Sequence, residues 1–133
     1  MATLFSFQNH AFPWRGQLKS DYIVILVTCK DRQEAEKITQ QLLSEHLIAC
    51  GNIVSSVTSF FFWAGKIDKA EECLIIMKSR LDLFAAVAEQ VKRLHSYEVP
   101  EVLALPLVDA SKAYLDWMSV VLKPDVHFSA DKP

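Results

Sequence analysis

The sequence predicts an α+β domain of ferredoxin-like type, βαββαβ with an antiparallel sheet and a C-terminal helix, and three observations carry that prediction. A β-branched apolar run, Tyr22 to Thr28, precedes a segment with helical spacing of apolar residues. Two long extended stretches then flank one short Gly-containing turn. A second amphipathic segment leads into a last apolar run, which completes the split βαβ order.

Each element has its own local cause. Tyr22-Ile23-Val24-Ile25-Leu26-Val27-Thr28 is apolar without alternation, the pattern of a central strand buried on both faces. Asp31, with Glu34 three residues on, signals a helix start, and Ala35, Ile38, Leu42 and Leu43 repeat at helical spacing to about His46. Extended chain follows from Ile48 to Trp63, then a turn at Ala64-Gly65, then extended chain from Lys66 to Lys78. Ser79 with Asp82 is the expected cap of a second helix whose inward positions are Phe84, Val87, Ala88, Val91 and Leu94. The fourth strand is expected over Glu98 to Leu107, with Pro100 at its start or on an edge because it has no N–H to donate. Ser111 caps a last helix that carries Tyr114, Trp117, Met118 and Val121 on one side and stops before Pro124.

Composition bounds the function. The chain has 133 residues, 51% of them hydrophobic, enough for one domain with a real core. We divide it into an N-terminal extension over 1–20, the domain over 21–124 and a C-terminal tail over 125–133. The extension holds Phe5, Phe7, Phe12 and Trp14 without a sustained period. A net charge of −2 gives no general attraction to nucleic acid or anionic membranes. The segment Glu72 to Met77 also lacks the basic and aromatic pattern of an RNA-stacking strand. No apolar run approaches the roughly 18 residues of a membrane span. Three cysteines, Cys29, Cys50 and Cys73, form no Cys-x-x-Cys pair, and a cytoplasmic location is the expectation.

The segment from Leu94 to Pro106 concentrates ligand-capable side chains at the mouth of an apolar strand. His95, Tyr97, Glu98 and Glu101 offer an imidazole, a phenol and two carboxylates. With alternating faces along a strand, Tyr97 and Glu101 would point one way and Glu98 the other. His95 reads either as a nitrogen donor suited to Cu(II) or as a helix C-terminal histidine favoured by the dipole. Cys50 reads either as a soft secondary ligand or as a small buried hydrophobe. Glu98 and Glu101 either line a polar pocket between subunits or are solvated strand-end charges. Lys66 is an anion contact or a solvated turn residue. Of the other histidines, His10 and His127 fall in the tails and His46 ends the first helix. No Gly-rich phosphate loop, Gly-x-Ser-x-Gly elbow or His-Glu-x-x-His motif is present, so no enzyme and no organic cofactor are expected.

The predicted sheet has one face that its own two helices do not cover, although the strands are apolar on both. The second and third strands are also longer than a core sheet needs, and their overhang carries Phe60, Phe61, Phe62 and Trp63. Docking on a neighbouring copy turns such an overhang from an aggregation hazard into an interface. Tyr97, Trp63 and Trp117 are read mainly as packing residues.

With these pieces in view, the chain resembles the CutA family of divalent-cation tolerance proteins. The matching pieces stand in order: Leu26-Val27-Thr28, Ala49-Cys50 with Asn52-Ile53, Val57-Thr58-Ser59, Trp63 with Gly65-Lys66-Ile67, Lys78-Ser79-Arg80, the His95 to Leu105 segment, and Tyr114-Leu115-Asp116-Trp117. The resemblance covers about Tyr22 to Leu122. It implies a homotrimer related in architecture to the nitrogen-signalling PII proteins, and a role in tolerance of copper and other divalent metals, some members binding Cu(II). A PII-like trimer that binds a small ligand or partner protein in clefts between subunits is the alternative. The chain departs from the family at Ser96, commonly proline, at Phe61, commonly tyrosine, and at Phe62 and Ala64, commonly polar and acidic. Cys50 matches a frequent family cysteine; Cys29 and Cys73 do not.

Overall fold

In a computed structural model, which describes residues 21–124, four strands form one sheet in the order β2-β3-β1-β4. The strands are β1 (Tyr22–Cys29), β2 (Cys50–Trp63), β3 (Lys66–Arg80) and β4 (Val102–Pro106). The helices are α1 (Arg32–Ser44), α2 (Phe84–Leu94) and α3 (Lys112–Val121). β1 pairs antiparallel with both β3 and β4. The architecture is therefore the α+β split βαβ expected from the element order. The readings of 1–20 as an extension and 125–133 as a tail lie outside the described residues, as do His10 and His127.

β1 is central, but it is buried on one face rather than two. Ile23, Ile25, Val27 and Cys29 are buried, while Tyr22, Val24, Leu26 and Thr28 are only half-covered. Helices α1 and α2 lie over the first set through Ala35, Ile38, Leu42, Val87 and Val91. The apolar run encoded a strand correctly, and its second face is only partly covered by the described residues.

Capping explains where the helices begin and end. Asp31 accepts the Glu34 N–H at 2.8 Å and starts α1 as expected. α1 ends in a Schellman motif: the N–H of His46 reaches Leu43 and that of Leu47 reaches Leu42, with His46 left-handed at φ 58°. The C-terminus of α3 docks here, because His46 Nδ1 lies 2.9 Å from the Val121 carbonyl and Lys123 N–H donates to His46. Gly51 allows β2 to approach α1; a Cβ there would sit 2.6 Å from the Thr39 methyl.

Three expectations need correction. Ser79 does not cap α2: it belongs to β3, is buried, and donates its hydroxyl to the Leu47 carbonyl at 2.6 Å. α2 instead grows out of a 3-10 turn, Leu81–Leu83, without a side-chain cap. β4 starts at Val102, so Glu98 to Glu101 is loop and the alternating-face argument for Tyr97, Glu98 and Glu101 does not apply. In α3 the buried residue is Met118; Trp117 is 44% exposed and rests on Tyr114, ring centroids 5.4 Å apart.

The β2–β3 hairpin outgrows the sheet. β1 pairs with β3 only from Cys73 to Arg80, whereas β2 and β3 stay paired out to Trp63 and Lys66. The ladder shifts between Val54 and Val57, where Ser56 has φ 63°, and Arg32 Nη1 holds the Ser55 hydroxyl at 3.0 Å. A bulge at the point of departure bends the strand and raises its twist. The free ribbon beyond it runs roughly 23 Å at strand rise. Its turn residues, Ala64 and Gly65, both have positive φ, as a two-residue type I′ hairpin requires.

Candidate functional site

Three segments meet at the C-terminal end of β1: the first turn of α1, the middle of β3 and the loop that leaves α2. His95 follows the last residue of α2 in an extended conformation, its N–H still bonded to Val91. That exit angle turns the imidazole back toward β1, where its side chain is fully buried. Nε2 lies 2.7 Å from the Thr28 carbonyl. A carbonyl only accepts, so Nε2 carries the proton. Nδ1 then accepts the Tyr97 N–H at 3.0 Å. Both ring nitrogens are thus committed to backbone groups.

Glu34 from α1 lies beside the imidazole, and Glu72 from β3 holds the Tyr97 hydroxyl. Glu34 is 9% exposed and Glu72 8%. Glu34 accepts the Ser96 N–H at 3.0 Å and the Ser96 hydroxyl at 3.2 Å, and its second oxygen lies 3.7 Å from His95 Nδ1. Ser96 thereby supplies two donors, where a proline would lack both. The Tyr97 ring tilts against His95 at 4.7 Å and donates its hydroxyl to Glu72 at 2.8 Å. Burial, followed by the Glu72 hydrogen bond, pushes the Tyr97 phenol up to about 12. Nearby, burial and then the Glu34 charge raise the Cys29 thiol to about 12. Among the described residues no buried side-chain polar atom lacks a partner. A fully satisfied buried network of this kind fixes geometry.

The structure therefore brings His95 and Tyr97 together, adds Glu34, Ser96 and Glu72, and leaves the other candidates elsewhere. Glu98 and Glu101 are exposed on the loop that this network anchors. Cys50 lies in the row of Lys78 and Val24, four residues along β1 from Thr28, or roughly 13 Å away at strand rise. It sits 3.7 Å from both Lys78 Nζ and Asn52 Oδ1. The Tyr114 phenol is raised by burial and then by this thiol. Cys50 thus belongs to the open sheet face beneath α3, apart from His95. Among the described residues, no three His, Cys, Asp or Glu side chains converge as a metal cage within one chain. The sequence reading missed Glu34 and Glu72 as site residues. Glu34 announced itself only as a first-turn carboxylate, and nothing local signals that the α2–β4 loop will fold over it.

The interface candidates are displayed instead. Phe60, Phe62, Trp63 and Ile67 are each about 70% exposed or more on the free ribbon, with Phe61 at 40%. Register places Phe60 opposite Lys69, Phe62 opposite Ile67 and Trp63 opposite Lys66. Leu103 and Leu105 on β4 extend the open sheet face, at 50% and 46% exposed.

A ferredoxin-like domain with a partly open apolar sheet face, a projecting aromatic hairpin and a loop anchored by His95, Glu34 and Tyr97 is the class that this geometry defines. Residues 23–120 match the family model described as CutA1 divalent ion tolerance protein. The divalent-cation tolerance protein CutA of Thermus thermophilus is 39% identical over 95 residues, 71% of this chain and 92% of that protein. The Archaeoglobus fulgidus protein of the same name is 43% identical over 94 residues, 71% of this chain and 91% of that protein. The chloroplastic CutA 1 of Oryza sativa is 40% identical, and the match spans 54% of its length. Among solved structures, CutA1 from Oryza sativa superposes with a TM-score of 0.76 at 36% identity, covering 78% of this chain and 95% of that one. The Thermus thermophilus structure gives 0.75 at 36%, covering 77% and 99%. This chain belongs to the CutA1 divalent ion tolerance family. No helix among the described residues is long and apolar enough to cross a membrane.

Proposed function

We propose that this divalent-cation tolerance protein works as a homotrimer that meets Cu(II) or another divalent ion through carboxylates at a subunit junction. The observation that carries the reading is the aromatic ribbon: Phe60, Phe62, Trp63 and Ile67 lie in water in the single chain. An edge-forming hairpin of that character is stable in solution when another chain covers it. Symmetric closure with copies of itself uses the same patch on every subunit.

Within this reading, His95 is a positioning residue and the exposed Glu98 and Glu101 are the ion contacts. The ring nitrogens of His95 hold Thr28 and Tyr97, whereas the two carboxylates stand on the loop that it fixes. One subunit supplies too few donors for tight Cu(II) binding, so several loops must contribute. Cys50 is left as a packing residue on the open face. We assign the protein no catalytic step, because the one buried imidazole among the described residues spends both nitrogens on backbone. Its free thiols fit a reducing compartment, and we place it in the cytoplasm.

Light scattering coupled to size exclusion should return about three times 15.1 kDa. Isothermal titration with Cu(II) should show binding weakened at least about tenfold in Glu98→Gln/Glu101→Gln, and unchanged in Cys50→Ser. A monomer at micromolar concentration rules out the assembly. Binding lost in Cys50→Ser but retained in the double Gln variant replaces the carboxylate site with a thiolate one.

A further inference from the structure

We propose that Cys29 and Cys73 form an oxidisable pair that closes to an intrachain disulfide between β1 and β3. The two are direct partners at the last rung of the β1–β3 ladder. Opposed residues of an antiparallel pair have Cα atoms about 4.5 or 5.5 Å apart, according to the hydrogen bonding of the rung. Both values fall inside the window of about 4.4–6.8 Å that disulfides occupy. Cross-strand partners also project from the same face of the sheet, and here both side chains are buried free thiols. Because no β1 residue beyond Cys29 pairs with β3, the rung can adjust by moving one strand end rather than the whole sheet.

The surroundings favour the finished, uncharged disulfide over a resting thiolate. Burial raises the Cys29 thiol first, and Glu34 and Cys73 raise it further, partly offset by the hydrogen bond to the Asp31 carbonyl. Thiolates at this spot face carboxylates, whereas a disulfide carries no charge and needs no solvation. Cys50 is excluded as a competitor: its row lies five residues along β3 from Cys73, roughly 17 Å at strand rise.

The oxidant is a low-molecular-weight disulfide. Cys73, at 5% exposure the more accessible of the two, loses its proton and attacks one oxidant sulfur, releasing one small thiolate and leaving a mixed disulfide. Cys29 then loses its proton and attacks the Cys73 sulfur, forming the protein S–S bond and expelling the second small thiolate. Two electrons pass from the protein sulfurs to the oxidant. The two protons end on the two released thiols.

The test is incubation of the folded full chain with oxidised glutathione at pH 8.5, followed by denaturation, alkylation and non-reducing peptide mapping. Cys29 and Cys73 should appear as one linked peptide pair, with an intact mass about 2 Da below the reduced chain apart from any adduct on Cys50. Cys50→Ser should keep the link, and Cys29→Ser should lose it. Oxidised protein should melt about 5–15 °C higher, since the bond closes a loop of roughly 45 residues. Alkylation of both Cys29 and Cys73 after treatment overturns the proposal, as does a link that includes Cys50 or that forms only in urea.

Discussion

The base and the tip of the β2–β3 hairpin are made of the same two strands and similar residues, yet they live in opposite environments. At the base Ile75 and Met77 are fully buried beneath α1 and α2. At the tip Phe62 and Ile67, cross-strand partners in the same ladder, are 78% and 71% exposed. The base is stabilised by its own chain. Among the described residues the tip makes the same backbone ladder with its aromatic side chains largely exposed, so in the proposed assembly its apolar area would gain roughly 25 cal/mol per Å² from a second chain. On the proposed assembly, one hairpin carries a folding half and an assembling half.

The largest expected effect separates these halves. Ile75→Ala should lower unfolding free energy by about 2–5 kcal/mol at every protein concentration, as large-to-small changes in a closed core do. Phe62→Ala should matter only where subunits meet, so its penalty should fade on dilution. Urea unfolding across a hundredfold concentration range reads both. A Phe62→Ala penalty that does not change with concentration would mean that the tip folds back on its own chain.

A second, intermediate effect belongs to the base alone and appears in alkali. Tyr97 and Cys29 keep their protons longer folded than unfolded, with values raised from 10.0 to about 12 and from 9.0 to about 12. A folded-state value above the unfolded one favours the native state while the group is protonated. This stabilisation is complete below about pH 9 and is lost as pH rises toward 12. Melting midpoints should therefore fall across that window, and the fall should be shallower in Tyr97→Phe and in Cys29→Ser. Equal slopes in all three proteins would show that neither group is coupled to folding.

The smallest effect tests the turn at the tip. Ala64 sits at φ 52°, a region that costs an alanine about 1 kcal/mol and that asparagine tolerates better. Ala64→Asn should raise the melting midpoint by a degree or two and leave the assembly mass unchanged. A lower midpoint would indicate that the Ala64 methyl is itself packed against a neighbour.

Much of the fold is written locally. The run from Tyr22 to Thr28, the Asp31 cap, the Ser111 cap and the Ala64-Gly65 turn each follow from a few adjacent residues, and each stands where the sequence puts it. The Ser79 cap failed for a reason that is not local. A serine followed by Asp82 matches a helix start, but the hydroxyl was already claimed by the Leu47 carbonyl across the β2–β3 side of the fold. The candidate site divides in the same way. His95 and Tyr97 were legible because their chemistry is concentrated in one short segment.

What the sequence determined by itself, then, is the order of strands and helices, the excess length of the hairpin and the presence of a His-Tyr-Glu segment after α2, because periodicity, caps and turns act over a few residues. Only the tertiary structure decided that Glu34 and Glu72, 38 positions apart by their numbers, join the His95–Tyr97 segment, Glu34 beside His95 and Glu72 on the Tyr97 hydroxyl. It also decided that Cys50 lies away from that site and that Cys29 meets Cys73. These are matters of strand register and of the path of a loop, set by how the whole sheet packs under its helices, and no window of adjacent residues contains them.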